Sequence, residues 1–136
     1  MSADNTDRDA LRAAFEAFGE ALNRGDYEAV VSMIAEDAAF WPDAAPATRG
    51  REPIRAAYER LAGYTLRASF DIEEIVVSGD LGLVRGFEHF RLEPRAGGEA
   101  ITIEGRRAFS VWQRNRDGLW KNTHGMTNWA ASQTRT

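Results

Sequence analysis

Three observations predict an α+β domain in which three N-terminal helices pack on a curved antiparallel sheet. Apolar residues recur at helical spacing in the first half of the chain only, and the period becomes extended after Gly63. Turn signals at Ser78-Gly79-Asp80, Ala96-Gly97-Gly98 and Asn115 to Gly118 then divide the remainder into four long segments rich in β-branched and aromatic residues. With 136 residues, 43% hydrophobic and 28% charged, the chain can fill one core but not two. One domain over 1–136 is expected, with flexible tails at about 1–6 and 131–136.

The first helix is read over residues 7 to 24, because Leu11, Phe15, Phe18 and Leu22 lie at spacings of four, three and four on one stripe. Thr6 or Asp7 is placed to cap it, and Gly25 stands where a left-handed terminating residue belongs. Asp26 opens a second helix with Val30, Met33 and Ile34 on its buried side, running to Glu36 and Asp37. The stretch AAFWPDAAPATRG combines two prolines and a glycine with small residues, which reads as a short strand and an irregular loop. Pro53 sits in the first turn of a third helix, where its missing N–H costs nothing, and Ile54, Ala57, Tyr58 and Leu61 share a face up to Gly63. The four strands are placed at about 66–77, 81–94, 100–114 and 119–130. Strands of that length must curl.

Composition excludes several functions. Lysine and arginine total 17 against 21 acids, a net charge of −4, so no concentrated basic face is available and nucleic acid is not expected as a partner. The absence of cysteine removes disulfides, thiolate catalysis and cysteine-ligated zinc. His89 and His124 lie 35 positions apart without a carboxylate ligand set, so no metal is predicted, and no cofactor. No apolar run approaches the ~20 residues that span a membrane. The start MSADNTDRDA has no basic segment followed by an apolar one, so the expected location is cytoplasmic. Nucleophile-elbow, phosphate-loop and calcium-loop patterns are missing.

Along the second strand, Val84, Gly86, Glu88, Phe90 and Leu92 form one row, and Arg85, Phe87, His89 and Arg91 the other. A glutamate therefore stands in the apolar row. The third strand sets Glu104, Arg106, Ala108, Ser110 and Trp112 against Ile103, Gly105, Arg107, Phe109 and Val111, again placing charge among large apolar neighbours. Glu88 can act as a general base with its pKa raised by apolar walls, or as the ion-pair partner of Arg106. Asp43 reads as a solvated loop residue or as an acid or base at a pocket mouth. Trp112, Trp120, Trp129, Tyr58 and Tyr64 supply large rings for the core, an interface or a cleft that takes flat ligands.

Several phrases, in this order, resemble the NTF2-like superfamily, in particular its SnoaL-like and DUF4440-type bacterial members. They are Asn23-Arg24-Gly25-Asp26, Ile34-Ala35-Glu36-Asp37-Ala38 and Gly50-Arg51-Glu52-Pro53-Ile54. Val111-Trp112-Gln113-Arg114, Asp117-Gly118-Leu119-Trp120-Lys121 and Asn128 then look like the family's closing hairpin. The resemblance implies a cone whose curved sheet wraps the helices around a pocket, with a homodimer formed through the outer sheet face. The superfamily hosts isomerases, cyclases, epoxide hydrolases, dehydratases and non-catalytic carriers, so activity has to be argued from the pocket.

A more distant resemblance to the steroid-isomerase branch puts Val84, Gly86, Glu88, Arg106, Ser110, Trp112, Thr123 and Thr127 on the concave side. A slip of one residue would exchange them for Arg85, His89, Arg107 and His124. The positions matching the isomerase's base, phenol and acid hold Pro42, Phe18 and Ser110, with Asp43 one place beyond the base, so the isomerase constellation itself is absent. The expected function is proton transfer without a cofactor on a hydrophobic, carbonyl-containing small molecule, as in an isomerase, cyclase or lyase. Asp43, Glu88 or His124 would carry the proton. Arg106 and Ser110 would stabilise negative charge, Trp41, Tyr58 and Trp112 would exclude water, and Thr127 would contact the ligand. The alternatives are a non-catalytic ligand binder and a dimeric protein-interaction module.

Overall fold

The stripe Leu11, Phe15, Phe18 and Leu22 lies on α1 (Ala3–Arg24) in a computed structural model that describes residues 3–130. The helix starts ahead of Thr6 and Asp7, so both lie inside it, and residues 3–6 are helical where a tail was expected. The expected tail at 131–136 lies outside the described residues. Gly25 closes α1 at φ 72°, and Asp26 caps α2 (Tyr27–Ser32) by accepting from the Ala29 N–H at 3.2 Å.

The second helix stops four residues short of the expected end. From Ile34 the chain becomes β1 (Ile34–Trp41), and the N–H of Asn122 donates to the Met33 carbonyl at 2.9 Å. A six-residue helix has little cooperative strength, so strand pairing with a distant segment overrides its local pattern. After β2 (Thr48–Arg49) comes α3 (Glu52–Glu59), with proline in its first turn as expected.

The long strands are β3 (Tyr64–Ser78), β4 (Leu81–Pro94), β5 (Ile101–Arg114) and β6 (Trp120–Asn128), each close to its expected limits. They form one six-stranded sheet in the order β2-β1-β6-β5-β4-β3. The sheet is mixed rather than purely antiparallel, because β1 runs parallel to β6. Registers shift between Ile72 and Glu74 of β3, between Glu88 and Phe90 opposite β5, and between Val111 and Trp112 opposite β6. Each such bulge inserts a residue, bends its strand and exchanges the faces beyond it. Gly105, at φ 69°, takes the left-handed position of the β5 bulge.

Helix α1 packs on the bent sheet over two apolar clusters. One gathers Leu22, Val30, Ile34, Ala38, Leu66 and Leu92, and the other Leu11, Ile75, Val84, Trp112 and Trp120. Phe15 and Phe18 of α1 meet Trp112 edge-on at ring distances of 6.0 and 6.2 Å. Gly86 lets β3 cross β4 closely, since a Cβ there would lie 2.1 Å from the Asp71 carbonyl oxygen. Among the described residues, no helix is long and apolar enough to cross a membrane.

Candidate functional site

The bends leave a cavity of about 390 Å³ between the sheet, α1 and α3. Its apolar wall includes Phe15, Phe18, Phe40, Phe70, Phe90 and Trp112. Three charged groups face it together: Asp43, just beyond β1, Glu88 of β4 and Arg106 of β5. The β5 bulge creates this meeting. On the Ile103 side the odd residues of β5 share the face of Phe90, whereas beyond Gly105 the even ones do, which brings Arg106 opposite Glu88.

Arg106 donates from Nε and Nη2 to the same oxygen of Glu88, Oε2, at 3.0 and 2.5 Å, and from Nη1 to Asp43 Oδ1 at 3.3 Å. The guanidinium also lies over the Phe90 ring, 5.4 Å from its centroid. Among the described residues, no group hydrogen-bonds to Oε1 of Glu88. Asp43 is held from every side. Thr127 Oγ1 donates to Oδ1 at 2.7 Å, Trp129 Nε1 donates to Oδ2 at 2.9 Å, and the Asp43 backbone N–H donates to Thr127 Oγ1 at 3.1 Å.

These surroundings push the two acids in opposite directions. Burial raises the Glu88 pKa, and it prevails over the hydrogen bonds and charge of Arg106 that lower it. Burial also opposes ionisation of Asp43. The hydrogen bonds from Thr127 and Trp129 and the Arg106 charge outweigh it, so Asp43 stays below its usual range. Tyr58 stacks on Tyr27 at 4.9 Å, and burial, with the Glu88 charge nearby, pushes its phenol far above its usual value. It therefore remains a neutral donor at physiological pH.

The structure thus gathers Asp43, Glu88, Trp41, Tyr58, Arg106, Ser110, Trp112 and Thr127 around one cavity. Trp112 is a buried wall, whereas Trp41 is 65% exposed. The Ser110 hydroxyl is already engaged, accepting from Trp112 Nε1 at 2.9 Å and facing the Val84 carbonyl at 3.5 Å.

His124 is not part of this group. It is exposed on the other face of β6, opposite Val111 and alternating with the cavity-lining Gly125, its Nδ1 3.0 Å from Thr123 Oγ1, and the β6 bulge begins only beyond it. The same bulge removes Thr123 from the lining, leaving its hydroxyl to donate to the Val111 carbonyl at 3.2 Å, and puts Asn122 there instead. Glu104, expected in the Arg106 row, lies on the outer face against His89 Nδ1 at 2.9 Å. Asp71 approaches the opposite ring nitrogen, Nε2, at 2.8 Å, so the two carboxylates cannot share one ion with this histidine.

Trp129 is the functional contact that sequence reasoning missed. It was grouped with the bulky rings, and its tie to Asp43 spans 86 residues. Arg107 fixes that end of the chain, donating to Asn128 Oδ1 at 2.6 Å and to the Trp129 carbonyl at 3.0 Å.

Among curated proteins, none matches this sequence. Among solved structures, a conserved protein from Planctomyces limnophilus is similar with a TM-score of 0.83 and 26% identity, over 90% of this chain and 94% of that one. A ketosteroid isomerase-like protein from Erwinia carotovora atroseptica shares the fold at TM-score 0.78 and 21% identity, over 94% and 99% of the two chains. A dehydratase candidate of the NTF2-like family from Streptomyces avermitilis follows at TM-score 0.73 and 25% identity, over 93% and 99%. The SnoaL-like domain model matches residues 15–123, which covers β1 to β5, the start of β6 and most of the cavity lining, and the chain belongs to that family.

Proposed function

We propose that this chain is a proton-transfer enzyme for a hydrophobic, carbonyl-containing small molecule, with Glu88 as the proton carrier. The observation that carries the reading is the divergence of two carboxyl groups around one guanidinium in an aromatic cavity: Glu88 is made more basic and Asp43 less so. A more basic carboxylate is the better acceptor of a proton α to a carbonyl. Arg106 has N–H groups beyond those spent on Glu88 and Asp43, and these donate to the carbonyl oxygen as negative charge develops on it. The C–H electron pair moves toward that oxygen, the proton passes to Glu88, and its return to another carbon completes an isomerisation. Expulsion of a leaving group from the enolate completes an elimination instead, a class of chemistry that the dehydratase candidate among the similar structures also fits.

The aromatic cone interior excludes water during the transfer. Pairing of two copies through the outer sheet face belongs to the same proposal, and a sedimentation mass of one chain would contradict it. The catalytic test uses 2-acetylnaphthalene in D2O. The protein should accelerate exchange of the acetyl methyl protons seen by NMR, and Glu88→Gln should reduce that acceleration by about 10²-fold or more. Binding of the ketone without exchange would identify a carrier.

A further inference from the structure

An arginine in an apolar cavity is ordinarily a receptor for carboxylates, because its fork matches two oxygens at once. Here that fork is already filled. Nε and Nη2 are spent on Glu88 and one Nη1 hydrogen on Asp43, while Phe90 covers a face of the guanidinium. Two of its five N–H groups remain, which suits a single neutral carbonyl oxygen.

We propose that Asp43 is a charge filter: with Glu88 it claims Arg106 for the protein and restricts the cavity to uncharged ligands, excluding carboxylates of the same shape. The proposal rests on the cavity being the substrate site. An incoming carboxylate would bring a third negative group to one positive charge. The side chains of Arg106, Glu88 and Asp43 are 16%, 10% and 19% exposed, so water screens that repulsion poorly. Asp43 cannot swing aside to admit the anion, since Thr127, Trp129 and its own backbone N–H hold it in place. Those three contacts are more than an arginine anchor requires. They keep a negative charge fixed at the spot where a ligand carboxylate would otherwise pair with Nη1.

The test compares two probes that are nearly isosteric, 2-acetylnaphthalene and 2-naphthoate, by titration calorimetry with the full chain at pH 7. The ketone should bind at least tenfold more tightly than the carboxylate. In Asp43→Asn the naphthoate should gain at least tenfold while the ketone changes less than threefold. Glu88→Gln, which removes the other negative group, should move the ratio in the same direction and serves if Asp43→Asn does not fold. Equal or tighter binding of naphthoate to the wild type, binding of neither probe, or an unchanged ratio in folded variants would overturn the filter. Ketone binding with the expected charge preference but no methyl exchange would defeat the proton-transfer reading and leave the filter standing.

Discussion

Glu88, which is buried, and Asp43, which is half-buried, are both acidic and both bonded to Arg106, yet their partners differ. Among the described residues, Glu88 receives hydrogen bonds from Arg106 alone, whereas Asp43 also receives them from a hydroxyl and an indole. Side-chain carboxyl NMR should therefore find Glu88 titrating above 4.5 and Asp43 below 3.8. The two have opposite effects on stability. The Glu88 contribution is present below 4.5 and is lost as pH rises through its raised folded value, while that of Asp43 is present above 3.8 and is lost as pH falls through its lowered one. In urea unfolding across pH, Glu88→Gln should gain on the wild type as pH rises past 4.5. The deficit of Asp43→Asn should shrink as pH falls below 3.8. Parallel curves for both variants would contradict this assignment. Trp112 is a fully buried wall of the cavity packed against Phe15 and Phe18, and Trp112→Ala should cost about 3–5 kcal/mol in the same assay.

Bulges at the level of the strand decide which side chains meet. Gly105→Ala would place a Cβ on a left-handed residue, at a cost of roughly 1–2 kcal/mol. It should also loosen the Glu88–Arg106 register, read as weakened hydrogen-exchange protection across β4 and β5. Gly86→Ala should be worse, at the top of the roughly 1–3 kcal/mol overpacking range or beyond, because its Cβ would meet backbone that cannot rotate away. Bulges also mark the limit of what the sequence reveals. The helical stripe of α1 and the limits of β3 to β6 were legible, since long periodic segments carry their own signal. The even row of β4 and the row of Arg106, Ala108, Ser110 and Trp112 on β5 followed from simple alternation. Alternation failed at Glu104 and Thr123, each at an inserted residue that exchanges faces, whereas it correctly left His124 outside. The end of α2 was misplaced because β1 is made by pairing with β6 at the other end of the chain, and Trp129 escaped notice for the same reason.

Seen as a whole, the molecule gives up core packing to keep its hollow. An apolar ligand should restore part of that packing: 2-acetylnaphthalene at 100 times its Kd should stabilise the fold by about 2.7 kcal/mol and raise Tm by several degrees. Ala108 lines the cavity, and Ala108→Trp should fill it and abolish the shift without unfolding the sheet. A shift that survives this substitution would place the ligand elsewhere. The most direct test of the account is a crystal structure with 2-acetylnaphthalene bound. The ketone oxygen should lie within hydrogen-bond distance of Arg106, with the methyl group toward Glu88 Oε1 and the rings among Phe15, Phe18 and Trp112. A naphthyl group seated on the outer sheet face, or a cavity closed by its own side chains, would contradict it.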